Sequence, residues 1–179
     1  MKKTFNKNIF LVGPMGAGKS SVGKYLSKQL GMDFYDTDEE IEIRTGVDLG
    51  WIFDVEGEEG FRKREAVVVA DLAKLSNVVV ATGGGTIITP ENRAIIAAHG
   101  IVVYLEVTLP LQPARVVNDS RRPLLRVENR DEMIAKLQLE REPHYEAMAD
   151  FKVPTDHRSV RSVAEDIISW LNNRGTKNE

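Results

Sequence analysis

The chain has no cysteine among its 179 residues. That absence excludes disulfides, thiolate nucleophiles and thiolate-held metals, and it suits a reducing compartment. Aromatic residues make up only 7%, so a core must be built mainly from aliphatic side chains. The three histidines, His99, His144 and His157, are scattered and show no metal-ligand spacing. Neither sign of charge dominates: 24 Lys and Arg against 27 Asp and Glu leave a net charge of -3. No overall basic field therefore recruits nucleic acid or an anionic membrane. No apolar run approaches the ~18 residues a membrane-spanning helix needs. Lys2 and Lys3 ahead of the apolar run 9–12 superficially resemble a signal peptide. That run is too short, however, and leads straight into a glycine-rich loop. A cytoplasmic protein without nucleic-acid or membrane partners is expected.

What is present is concentrated at 13–20, GPMGAGKS. Gly13, Gly18, Lys19 and Ser20 hold the fixed positions of G-x-x-x-x-G-K-[ST]. An apolar run precedes the motif, and helical spacing at Val22, Tyr25, Leu26 and Leu30 follows it. Strand, glycine loop and helix form the context in which this motif cradles phosphates. Backbone N–H groups of Gly16, Ala17, Gly18, Lys19, Ser20 and Ser21 are the expected phosphate donors, helped by the positive end of the helix. Lys19 would reach the β- and γ-phosphates, and the Ser20 hydroxyl would hold Mg²⁺. A nucleoside triphosphate is the expected ligand.

Short apolar runs at 34–35, 78–81, 101–105 and 151–153 read as further strands after 9–12. Helical patterns cover 39–45, 60–75, 90–99, 111–118, 131–148 and 160–171, with Thr89 and Pro90 well suited to open a helix. Alternating strands and helices predict an α/β fold with a parallel sheet in a single domain, with right-handed crossovers. The polar stretch 173–179 reads as a frayed tail. Trp51 and Trp170 fall at apolar helical positions and are read as packing residues.

Ligands of such sheets bind beyond the carboxyl ends of the strands. Three segments qualify: the phosphate loop, Asp36-Thr37-Asp38, and Thr82 with Gly83, Gly84 and Gly85. Asp36 and Asp38 are two residues apart, so both carboxylates can face one cleft. One can bind Mg²⁺ and the other a substrate hydroxyl. Alternatively, Thr37 or Asp38 serves as a helix N-cap. Three glycines after a buried strand imply a close approach by another molecule, or a tight turn. Arg62 and Arg141 each lie among acids, which suits surface ion pairs or recognition of a ligand carboxylate. The segment 119–125 carries Arg121, Arg122 and Pro123 without periodicity, as a cationic lid or an ordinary basic loop would.

Taken together, these pieces resemble the shikimate kinase family over almost the whole chain. The matching segments are GPMGAGKS at 13–20, FYDTD at 34–38, GEEGFRKRE at 57–65, ATGGG at 81–85, RRPLL at 121–125 and EREPHYE at 140–146. The resemblance implies a three-layer P-loop kinase fold with a five-stranded parallel sheet in the order 2-3-1-4-5. It implies ATP and Mg²⁺ as cofactors and phosphorylation of the 3-hydroxyl of shikimate, in aromatic amino acid biosynthesis. It further implies a substrate-binding insertion at about 37–65, a lid at about 116–129 and a core at about 7–172. By the same resemblance, Asp38 binds ring hydroxyls and is a candidate base, and Arg62 and Arg141 hold the carboxylate. Gly83 and Gly84 offer backbone N–H groups, and Arg122 contacts the ATP phosphates. Asp36 lies near the metal, through water. Arg115 and Arg158 flank the adenine. A monomer is expected.

Overall fold

In the computed structural model, residues 7–116 and 123–175 are described. Five strands form one parallel sheet in the order β2-β3-β1-β4-β5: β1 (Asn8–Val12), β2 (Asp33–Asp36), β3 (Val78–Ala81), β4 (Gly100–Glu106) and β5 (Phe151–Pro154). This is the expected order. The central strands β1 and β3 are buried along their full length. Their unbroken β-branched and aliphatic runs follow from being covered on both faces.

The helices are α1 (Lys19–Leu30), α2 (Thr37–Thr45), α3 (Leu49–Ala73), α4 (Pro90–His99), α5 (Gln112–Val116), α6 (Arg130–Met148) and α7 (Val160–Gly175). Short 3₁₀ turns stand at Thr86–Ile88 and Pro123–Leu125. One face of the sheet packs Phe10, Val80, Val102 and Tyr104 against α3, α4 and α6. The other packs Ile9, Leu11, Val79 and Val103 against α1 and α7. The period-2 alternation of each strand thus feeds two cores. A smaller cluster of Met15, Val116, Leu125 and Ile134 ties the phosphate loop to α5 and α6.

Two helices differ from expectation. Helix α3 begins at Leu49, capped by the Asp48 carboxylate accepting from Trp51 N–H at 2.7 Å. Gly50 and Gly57 make that first half read as loop. At Gly57 the backbone takes φ 70°, ψ -179°, so α3 is two helical segments joined by a kink. Trp51 is 47% exposed on the first segment, not packed in the core. Helix α7 runs on to Gly175, because Arg174 pairs with Asp150 at 3.1 Å and lies over Trp170. Trp170 itself stacks on Phe151, as a packing residue does. Among the described residues, no helix is long and apolar enough to cross a membrane.

Candidate active site

The carboxyl ends of β1, β2 and β3 bring their following segments to one edge of the sheet. The phosphate loop turns through positive φ at Gly13, Gly16 and Gly18. Gly18 caps α1, which has no side-chain cap and no acid in its first turn. The first N–H groups of α1 therefore keep their partial positive charge for an anion. Lys19 is buried, and its Nζ donates to Gly13 O at 2.7 Å and Pro14 O at 2.8 Å. In this conformation the amine closes the loop on itself.

The Ser20 hydroxyl donates to Asp36 Oδ2 at 2.5 Å. Asp36 Oδ1 accepts from the N–H groups of Asp38 and Glu39, at 3.0 and 3.3 Å. Asp36 is thus the N-cap of α2, in place of Thr37 or Asp38. Capping by Asp36 leaves the Asp38 carboxylate to turn into the cleft. Asp38 lines two adjoining pockets, one with Ser20 and Asp36, the other with Arg62, Gly84 and Arg141. It stands where the phosphate half and the acceptor half meet.

The acceptor half is walled by Met15, Leu49, Phe53, Phe61, Pro123 and Leu124. Its polar groups come from α2, α3, α6 and the glycine turn after β3. Arg62 bonds Glu65 Oε1 at 2.8 Å and Glu58 Oε1 at 3.1 Å. Glu65 is fully buried, and its second oxygen accepts from Thr86 Oγ1 at 2.7 Å. Gly85 permits this arrangement: a Cβ there would stand 2.3 Å from Arg62 Nη2. Gly83 makes room for Asp38, whose Oδ1 would be 2.9 Å from a Cβ at that position. The Gly83 N–H is already taken by Thr37 Oγ1 at 2.9 Å. It is therefore not a substrate donor in this geometry, contrary to the sequence expectation, and Gly83 contributes space instead.

Arg141 differs from Arg62 in its company. It is 3% exposed, and no carboxylate pairs with it among the described residues. Its Nε has no hydrogen-bond partner among the described residues. Burial pulls its pKa down, and Arg62 nearby adds like-charge repulsion. The Tyr145 phenol beside it and the Glu58 carboxylate partly offset both effects. For Arg62, burial also opposes the charge, but Glu65 and Glu58 outweigh it and the pKa rises. The site therefore holds one compensated guanidinium and one with no carboxylate in ion-pair reach among the described residues.

Arg115 and Arg158 converge on the turn after β5. Arg115 donates to Gly16 O at 3.1 Å, Thr155 Oγ1 at 2.9 Å and Thr155 O at 2.8 Å, strapping the phosphate loop to that turn. Arg158 pairs with Asp166 at 2.8 Å and donates to Ser162 Oγ at 2.7 Å. Arg122 lies outside the described residues.

Residues 15–172 match the sequence profile of the family described as Shikimate kinase. The chain belongs to the shikimate kinase family. A shikimate kinase of Tolumonas auensis is 55% identical over 92% of this chain and 96% of its own length. A solved shikimate kinase from Acinetobacter baumannii, in complex with shikimate, superposes with TM-score 0.93 at 43% identity, over 96% of each chain. A gluconokinase from Sinorhizobium meliloti shares the fold alone, at 18% identity and TM-score 0.62, over 98% of this chain and 97% of its own.

Several residues of this shikimate kinase site were not singled out from sequence. Glu65 was legible as an acid three residues after Arg62 on the same helical face. Thr37 reads from sequence only as a cap. Phe53 and Phe61, whose rings lie 4.7 Å apart, carried no distinguishing signal. Tyr145 sits one turn after Arg141 and is fully buried, which only the packing of α6 against the sheet reveals.

Proposed function

We propose that the chain transfers the γ-phosphate of ATP to the 3-hydroxyl of shikimate, giving shikimate 3-phosphate and ADP. The observation that carries the reading is Arg141. A buried guanidinium without a carboxylate, beside a second arginine, is costly until an anion arrives. An acceptor bearing a carboxylate supplies that anion, and bidentate pairing with guanidinium fixes its orientation. The carboxylate lies between Arg62 and Arg141, Glu65 holds Arg62 in place, and the ring lies against Phe53 and Phe61. The family relationship supports the same substrate.

Phosphoryl transfer asks chiefly for position and charge stabilisation. Asp38, at the junction of the two pockets, accepts the proton of the 3-hydroxyl. The hydroxyl oxygen bonds to the γ-phosphorus, and the bond from that phosphorus to the β–γ bridging oxygen breaks. ADP carries away the electron pair. Lys19 exchanges the carbonyls of Gly13 and Pro14 for phosphate oxygens, and the uncapped N-terminus of α1 faces the same charge. The hydroxyl of Ser20 and the carboxylate of Asp36 form a hard-oxygen pair beside the loop, which fits Mg²⁺ with few protein ligands. When bound there, Mg²⁺ neutralises phosphate charge. Arg122 adds a further cation on the phosphates, within a lid about 116–129, and Arg115 and Arg158 border the adenine. The enzyme acts as a cytoplasmic monomer.

An acceptor panel with ATP and Mg²⁺ tests the reading. Shikimate is expected to release ADP, whereas gluconate and AMP are not. Equal turnover of gluconate would refute the acceptor assignment.

A further inference from the structure

The glycine turn after β3 is fixed on both sides of a single donor. Gly83 N–H donates to Thr37 Oγ1 at 2.9 Å. Thr86 N–H donates to Gly83 O at 3.1 Å. Tyr145 Oη donates to Gly84 O at 2.5 Å. Between these contacts, the Gly84 N–H meets no acceptor among the described residues, and Gly84 lines the acceptor pocket. Backbone donors near a buried site are nearly always satisfied, so this one is reserved for a ligand.

Tyr145 is placed to do more than hold the turn. It lies four residues after Arg141 on α6, on the same helical face. Its phenol stands beside the Arg141 guanidinium while bonding Gly84 O. One fully buried hydroxyl thus connects the cationic side of the pocket to its backbone-donor side. The ring is braced by Tyr104 of β4, with centroids 5.1 Å apart.

We infer that Tyr145, with Thr37 across the turn, is a positioning residue for the acceptor: together they aim the Gly84 N–H and seat Arg141 for one shared ligand. This rests on the shikimate kinase reading above. The neighbouring Tyr104 supplies an internal control. Its ring is equally buried, but its hydroxyl makes no bond to the turn among the described residues. Packing is common to both rings, whereas the bond to the turn belongs to Tyr145 alone.

The test compares Tyr145→Phe, Tyr104→Phe, Thr37→Val and Thr37→Ser by steady-state kinetics. Tyr145→Phe and Thr37→Val each leave a buried turn group unsatisfied and should raise the shikimate KM by roughly 5- to 100-fold. Their ATP KM should stay within about twofold, as for a loss confined to acceptor binding. Tyr104→Phe should leave the shikimate KM unchanged. Thr37→Ser keeps the hydroxyl and should recover most of the affinity lost in Thr37→Val. If Tyr145→Phe does not fold, the Thr37 pair decides on its own. Unchanged shikimate KM in both Tyr145→Phe and Thr37→Val would overturn the inference. So would an equal shift in Tyr104→Phe, which would assign the effect to packing. A wild-type enzyme inert toward shikimate would instead overturn the acceptor assignment itself.

Discussion

Arg141 and Asp38 divide the work of the site between binding and chemistry, and their variants should separate accordingly. Arg141 is buried with no carboxylate paired to it among the described residues, so its charge is directed at the ligand. A charge-assisted hydrogen bond contributes about 1.5–3 kcal/mol. Arg141→Ala should therefore raise the shikimate KM by roughly 10- to 150-fold and leave the ATP KM unchanged. An unaltered shikimate KM would remove Arg141 from the carboxylate clamp. Asp38 touches both halves of the cleft, so Asp38→Asn should act on kcat. A loss of about 10²- to 10⁴-fold is expected of a general base. Near-normal kcat would limit Asp38 to holding the hydroxyl. Arg62 is less simple, because Glu58 and Glu65 already bond it. Glu65 keeps the guanidinium charged and fixed, a role invisible until Thr86 and Gly85 are seen on its other sides.

At the scale of elements, α3 determines where the acceptor lies. Its first segment carries Leu49 and Phe53, and its second carries Phe61, Arg62 and Glu65, all in one pocket wall. The kink at Gly57 sets the angle between them. Among the described residues nothing lies within 4 Å of a Cβ placed at Gly57, so its φ of 70° is what calls for glycine there. Arg64 clamps Glu56 across the kink with two bonds, at 2.8 and 2.6 Å. Gly57→Ala should cost about 1–3 kcal/mol of stability by urea unfolding, the penalty for a side chain at positive φ and extended ψ, where essentially only glycine is at ease. It should raise the shikimate KM more than the ATP KM. Gly85→Ala tests the other side of the wall. Its Cβ would overlap Arg62, so the shikimate KM should rise while the phosphate loop is untouched. Full activity in Gly85→Ala would show that Arg62 can shift without consequence.

For the molecule as a whole, the sheet was legible because its three central strands, β1, β3 and β4, are short apolar runs buried along almost their full length. The phosphate loop was legible because glycine spacing and a following lysine have few other uses. The N-cap of α2 was misplaced because Asp36, Thr37 and Asp38 all have side chains that suit a cap, and only the ladder to β3 fixes which one ends the strand. The first half of α3 was hidden by glycines that serve close approach and a kink. The donor role expected of Gly83 rests on the family resemblance, and no sequence rule says that Thr37 lies across from it and takes its N–H. Tyr145 and Glu65 each join a partner on their own helix to a distant one, Gly84 and Thr86, which only the fold brings near.

The central claim is that one loop supplies the phosphate while Asp38, Arg62 and Arg141 select the hydroxyl that receives it. The most direct measurement is ³¹P and ¹H NMR of the product formed from shikimate, ATP and Mg²⁺. A single phosphomonoester coupled to the proton at carbon 3 is the predicted result. Inorganic phosphate alone, or phosphate on the 4- or 5-hydroxyl, would contradict it.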